Sequence, residues 1–220
     1  MECSRALVDA LGALTPSVCD GVRIGAVLQR HAFGLSWIEQ GAIARASHAL
    51  LDGRSVWLID PYKDPAALPA AVELGTPAGV LQLLDRHNRD CAQIAQRLGV
   101  PLRRLPADGA GTPFTVISML SIAGWHEVAL WWADARALVV AEAIGTAPGF
   151  ALGRRAGVHP MLRLTPPRKQ LSGFPAERLF VGHGPPLESG ADQAIREALA
   201  RSRREIPRLL LSAPRLLRER

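Results

Sequence analysis

The sequence predicts an α/β chain folded as a layered sandwich, and three observations predict it. Residues 79–98 read as buried strand, polar loop and helix, closed by Gly99 and Pro101, the order in which α/β layers are built. Asp52-Gly53 separates apolar runs at 49–51 and 56–59, the strongest short hairpin signal in the chain. A Gly- and Pro-rich segment from 106 to 113 then divides the chain, and strands followed by a helix recur beyond it. That recurrence argues for one domain over 1–200, with halves near 20–108 and 113–200, followed by a basic tail over 201–220.

Taken in order, residues 6–14 suit a short helix ended by Thr15-Pro16. Strands are predicted over 24–28 and 37–43, then over both arms of the hairpin. Asp60-Pro61 ends the second arm, because proline cannot continue a paired interior strand. Residues 65–74 read as helix and 79–84 as a buried strand. Cys91, Ile94, Ala95 and Leu98 fall at offsets of 0, 3, 4 and 7, one face of a helix over 91–98. Past the central loop, 114–119, 128–132 and 138–140 read as strands. Residues 145–175 hold five prolines and five glycines and read as long loops with one short helix. A last strand over 178–181 runs into Gly182-His183-Gly184-Pro185-Pro186. Ser189 is placed to cap a final helix whose inward stripe is Ile195, Ala198, Leu199 and Ser202.

Composition excludes several classes. With 220 residues, 48% hydrophobic and 21% charged, the chain is not disordered, collagen-like or a coiled coil. The net charge of +6 resides mostly in the tail, where seven arginines face two glutamates, leaving the rest nearly neutral. Without an aromatic stacking platform that tail is a weak signal for nucleic acid, and a frayed, solubilising end is the default reading. Cys3, Cys19 and Cys91 form no CxxC pair, which fits a reducing, cytoplasmic setting. The start of the chain, with Glu2 and Asp9, does not read as a signal peptide. The longest apolar stretch, 128–144, is interrupted by Asp134, Arg136 and Glu142, so no membrane partner is expected.

Candidate chemistry sits where strands end. Asp60, Glu142 and His183 follow predicted strands and Asp90 precedes a helix, so these four groups are placed to meet at one rim. Two of them also have a plain alternative: Asp90 as a helix cap, His183 as a loop hydrogen bond. The loop from Asp85 to Asp90 is the densest polar cluster, and His87, Asp90 and Cys91 are metal-ligand types. Arg86 and Arg89 oppose a cation there, since unit charges 4 Å apart interact by about 4 kcal/mol at an effective dielectric of 20. Cys91 also lies on the inward helical stripe and reads as core before nucleophile. Trp125, His126, Trp131 and Trp132 either line a pocket or pack, and Ser47-His48 either faces a cleft or is buried. No GxSxG, P-loop or HExxH signature is present.

Over roughly 37–200 these segments resemble the metallo-β-lactamase fold superfamily. Trp57-Leu58-Ile59-Asp60 looks like the family's early strand ending in aspartate. Leu83 to Cys91 is similar to its HxHxDH stretch, Leu138 to Glu142 to the strand ending in its bridging aspartate, and Gly182-His183-Gly184 to its terminal segment. The resemblance implies a four-layer αββα sandwich and metal-assisted hydrolysis. Carried over, three histidine positions fall on Arg86, Asn88 and Cys91, and a fourth falls near Ala123 with His126 three residues on. The aspartates fall on Asp60, Asp90 and, as a longer carboxylate, Glu142; His183 is retained.

That pattern implies a protein lacking the di-zinc centre, with no cofactor, catalytically degenerate, its cleft formed by Asp60, Arg86, His87, Asn88, Cys91, Trp125, His126 and Glu142. Arg86 then replaces the metal's charge by bridging Asp60, Asp90 or Glu142. Asp90 and His183 are the catalytic pair if the site is active. One alternative is a hydrolase with a single zinc or other divalent metal on Asp90, Cys91, His126, Glu142 and His183. The other is a metal-free cleft that binds a small molecule. No substrate or oligomeric state follows from the sequence.

Overall fold

Strand alternation builds the layers. The computed structural model describes residues 25–211 apart from Asn88 and Ala123. The helix predicted over 6–14, Cys3, Cys19, Asn88, Ala123 and the tail beyond 211 lie outside the described residues. The first sheet contains β1 (Val27–His31), β2 (Gly34–Ile38), β3 (Ala46–Asp52), β4 (Ser55–Ile59), β5 (Thr76–Gln82) and β6 (Leu102–Arg104), side by side in that order. The first three pairings are antiparallel, and β4–β5 and β5–β6 are parallel. The parallel pairs are joined through α1 (Ala67–Glu73) and α2 (Cys91–Leu98).

The second half runs β7 (Thr115–Ile122), β8 (Trp125–Trp132), β9 (Ala137–Val140), β10 (Ile144–Gly145), α3 (Pro148–Ala151), β11 (Gly157–Val158), α4 (Arg168–Leu171), β12 (Arg178–Val181) and α5 (Ala191–Arg201). Its sheet is ordered β12-β9-β8-β7, with β12 parallel to β9, and β10 and β11 form a separate small ribbon.

Successive residues of a strand face opposite ways. In β4, Val56 and Leu58 join Leu35, Trp37, Ala49 and Val80 against Leu68 and Ala71 of α1 and Cys91 and Ile94 of α2. Trp57 and Ile59 instead join Leu50 and Leu81 in the larger core with Ala129, Leu130, Leu138 and Phe180 of the second sheet. Ile195, Ala198 and Leu199 of α5 complete that core. Helices outside, two sheets face to face inside: the αββα sandwich is the observed fold. No helix among the described residues is long and apolar enough to cross a membrane.

Four local expectations change. The strand predicted over 37–43 is displaced to Gly34–Ile38. Beyond it the chain turns through Gly41 (φ 117°) and Ala44 (φ 43°), and Glu39 pairs with Arg45 across the loop. Residues 145–175 are not long loops but short elements with a buried interior, including Phe150, Val158, Leu162 and Leu171. Ser189 does not cap α5. The cap position is Gly190, and the first helical N–H groups donate to backbone, Ala191 to Glu177 and Asp192 to Ala176. The folded body also runs past 201, because Ser202 and Glu205 are buried.

A polar line runs from the half-buried His31 into the interior at the start of the first sheet. His31 Nε2 lies 3.1 Å from Ser36 Oγ, which lies 2.7 Å from His48 Nδ1, while His48 Nε2 lies 2.9 Å from the Val181 carbonyl. A carbonyl only accepts, so His48 donates from Nε2 and takes the Ser36 hydroxyl at Nδ1. Burial lowers His48 to about 3 and His31 to about 4. In the unfolded chain both would protonate near 6.5. Between about 4 and 6.5 the unfolded state therefore binds more protons, and stability falls as pH falls through that window. Melting curves from pH 7 to 4.5 should show this loss. His48→Gln should flatten the slope by up to about 1.4 kcal/mol per pH unit, one proton's share.

Candidate metal centre

The ends of β4, β9 and β12 meet at one rim. Asp60, just past β4, has φ 43° and a buried carboxylate. Its Oδ1 accepts the Leu83 N–H at 2.9 Å, and its Oδ2 lies 3.0 Å from His87 Nδ1. His87 thus donates from Nδ1 and keeps Nε2 free. Burial and the nearby Arg89 cation lower the pKa of this ring.

His183 follows β12, and its backbone path requires the flanking glycines. A Cβ on Gly182 would stand 2.2 Å from the Ala141 oxygen, and one on Gly184 (φ 98°) 2.2 Å from the Ala147 nitrogen. His183 Nδ1 donates to the Ile43 carbonyl at 2.9 Å, and the ring stacks on Phe150 with centroids 5.0 Å apart. Its Nε2 is buried without a hydrogen-bond partner, 3.7 Å from Glu142 Oε1.

Glu142 follows β9. Its N–H and that of Ala143 donate to Glu127 Oε1 at 2.8 and 3.0 Å, while Trp125 Nε1 donates to Glu127 Oε2 at 3.0 Å. Burial pushes Glu127 up to about 7 against those three donors. At Glu142 burial also opposes the charge, but His183, His159, His87 and Arg86 outweigh it and hold the carboxyl at about 2. Glu142 Oε2 is 2.6 Å from Arg86 Nη2, and the Arg86 guanidinium lies over the Trp125 ring at 4.3 Å.

One ligand atom each from His87, Glu142 and His183 lies within 4.8 Å of the others. Two imidazoles and a carboxylate suit zinc or a similar divalent cation. Each imidazole already donates its other nitrogen to an oxygen, the arrangement that orients metal-binding histidines. With the buried, unpartnered Nε2 of His183, the residues fit one cation. Asp60→Asn leaves one side-chain oxygen for two donors, the Leu83 N–H and His87 Nδ1, and should weaken zinc binding 10- to 100-fold in a competitive titration.

The structure brings Asp60, Arg86, His87, Trp125, Glu142 and His183 to this rim. It turns Asp90 away: Oδ2 accepts the Lys63 N–H at 2.7 Å and Oδ1 faces Lys63 Nζ at 3.8 Å, so this carboxylate holds the 61–63 loop. Cys91 is buried in the helix interface, its thiol pushed up to about 12 by burial. It should resist iodoacetamide at pH 8 and react only on unfolding, as mass spectrometry would read. His126 points outward, half-exposed, with Nδ1 3.2 Å from Asp85 Oδ2. Of the residues offered with the family resemblance as a single-metal set, Asp90, Cys91 and His126 lie away from this group, and His87, a ligand type in the 85–90 loop, stands with Glu142 and His183 instead. Trp131 packs on Phe174 and Trp132 on Phe33 and Phe114, so neither lines this site. Ser47 and His48 are buried within β3.

Three contributors escape sequence reasoning. Glu127 was readable in principle, since alternation along β8 puts it inward with Trp125 and Ala129. His159, lowered by burial to about 4, accepts the Met161 N–H at Nδ1 and packs edge-on against Trp125. It lies in an irregular stretch with no periodic signal. Arg89, noted only for its charge, fastens the rim: its guanidinium donates to the carbonyls of Ala46 (2.5 Å), Asp60 (2.9 Å) and Gly182 (3.1 Å).

No protein-family model matches the sequence, and no curated protein matches it. Solved structures do. The DIM-1 metallo-β-lactamase exposed to ceftazidime aligns with TM-score 0.56 at 8% identity, covering 83% of this chain and 98% of its own. A metallo-β-lactamase from Erythrobacter litoralis aligns with TM-score 0.57 at 13% identity, covering 84% and 95%. One from Hirschia baltica aligns with TM-score 0.56 at 11% identity, covering 81% and 98%. At these identities the likeness establishes the architecture, and activity has to be argued from the site.

Proposed function

We propose that this chain, a sandwich of the metallo-β-lactamase fold, is a hydrolase that works with one divalent cation held by His87, Glu142 and His183. The observation that supports it most is the buried Nε2 of His183, which has no hydrogen-bond partner and lies beside Glu142 and His87. Leaving such a nitrogen unpaired costs about 1–3 kcal/mol unless something occupies it. A bound cation would lower the pKa of a coordinated water towards 7 and polarise the scissile bond.

The chain's own groups supply the remainder. Asp60 and the Ile43 carbonyl fix the two imidazoles, and Glu127 fixes the backbone at 142. Arg86 occupies Glu142 Oε2 and leaves Oε1 toward His183. Three protein ligands leave room for water or substrate. A di-zinc centre is not part of this proposal, because Arg86 and Cys91 stand where the family resemblance would require histidine ligands. A cytoplasmic setting is part of it, consistent with a free, buried Cys91. Metal analysis of protein purified without chelator tests the reading, with His87→Ala and His183→Ala as controls.

The 2.6 Å ion pair between Arg86 and Glu142 favours a second reading, a metal-free ligand-binding cleft in which the arginine supplies the positive charge. In that case zinc would leave the melting temperature unchanged, while a small-molecule ligand would alter Trp125 fluorescence.

A further inference from the structure

Arg86 is more than a counter-ion. Its side chain is 44% exposed at the rim, and it lies over the Trp125 ring, whose Nε1 is hydrogen-bonded to the buried Glu127. Of its planar fork, Nη2 bonds Glu142 Oε2; the other guanidinium N–H groups have no partner among the described residues. A guanidinium held flat on an aromatic face with free donors matches a two-oxygen acceptor, the geometry in which arginine exceeds lysine.

Charge points the same way. Arg86 and Glu142 cancel, the half-buried Arg89 offsets the buried Asp60 beside it, and burial keeps His159 neutral near pH 7. A divalent cation on His87, Glu142 and His183 would therefore leave the rim with excess positive charge. Arg86 and His183 also face different oxygens of the same Glu142 carboxylate, so cation and guanidinium would stand side by side.

We infer that the substrate carries an oxyanion group, carboxylate or phosphate, that docks on Arg86 next to the bond being hydrolysed. This rests on the metal-centre reading above, and the test separates the two. Zinc uptake by the whole chain is measured first. Calorimetry on the zinc-saturated protein then uses inorganic phosphate and acetate as separate probes. At least one should bind, with affinity at least tenfold weaker in Arg86→Gln at zinc saturation and partly restored in Arg86→Lys; whichever probe binds identifies the oxyanion.

Equal affinity in wild type and Arg86→Gln, or no binding of either probe to the zinc-loaded wild type, overturns the inference and leaves the metal centre standing. If the chain takes up no zinc, the metal reading fails, and the same probes are titrated into metal-free protein by tryptophan fluorescence. Binding lost in Arg86→Gln then supports the oxyanion site, and absence of binding overturns it.

Discussion

His183→Ala should lose zinc affinity by on the order of 100-fold or more, and with it the stabilisation that zinc gives the wild type. The imidazole supplies one of three ligands and is held ready by the Ile43 carbonyl and the Phe150 face. A ligand at 100 times its Kd stabilises the folded state by about 2.7 kcal/mol. For a chain of this size each kcal/mol moves Tm by roughly 2–4 °C, so excess zinc should raise the wild-type Tm by about 5–10 °C and that of His183→Ala hardly at all. The comparison is between melts with and without zinc for each protein. Losing the stacked ring lowers the variant's own Tm regardless, and the difference removes that effect.

Glu205→Ala should destabilise the fold by about 3–5 kcal/mol, a fall in Tm on the order of 10 °C. Arg163 is wholly buried; Nη1 donates to Glu205 Oε2 at 2.8 Å and Nη2 to the Phe150 carbonyl at 2.6 Å. Removing Glu205 strands a guanidinium that burial already disfavours. Arg163→Met in the Glu205→Gln background should cost less, because no uncompensated charge remains. Urea unfolding of both variants measures the difference. The pair also reaches the rim, since Phe150 is the residue stacked on His183, so Glu205→Ala should loosen metal binding as well as the fold.

Those two residues mark where the sequence can and cannot be read. The helix over 91–98 was legible because one apolar face repeats at helical spacing and Gly99, at φ 64°, ends it. The strand over 178–181 was legible because Leu179, Phe180 and Val181 form an apolar run closed by glycine. Glu142 and His183 follow from the same logic, since strand ends in an α/β sandwich converge. His87 was visible as a polar residue in the 85–90 loop. It was also legible as a metal-ligand type, but its partner was not, because the loop's path puts His87 on Asp60 and gives Asp90 to the Lys63 N–H. His126 looked equivalent to its neighbours until alternation turned it to solvent.

The segment from 145 to 175 was opaque for a different reason. Its elements are two to four residues long, too short for periodicity to speak, and its burial comes from long-range partners such as Arg163 with Glu205. His159 and Phe150 were hidden there. Glu205 was missed because an arginine-rich end reads as solvated, whereas one glutamate within it is buried against the body.

The most direct test of a single-cation centre is the stoichiometry of metal bound by the untagged, chelator-free protein, by elemental analysis and competitive zinc titration. One zinc or equivalent divalent ion per chain, released in His183→Ala, is the predicted result. None bound, or two bound per chain, would contradict it.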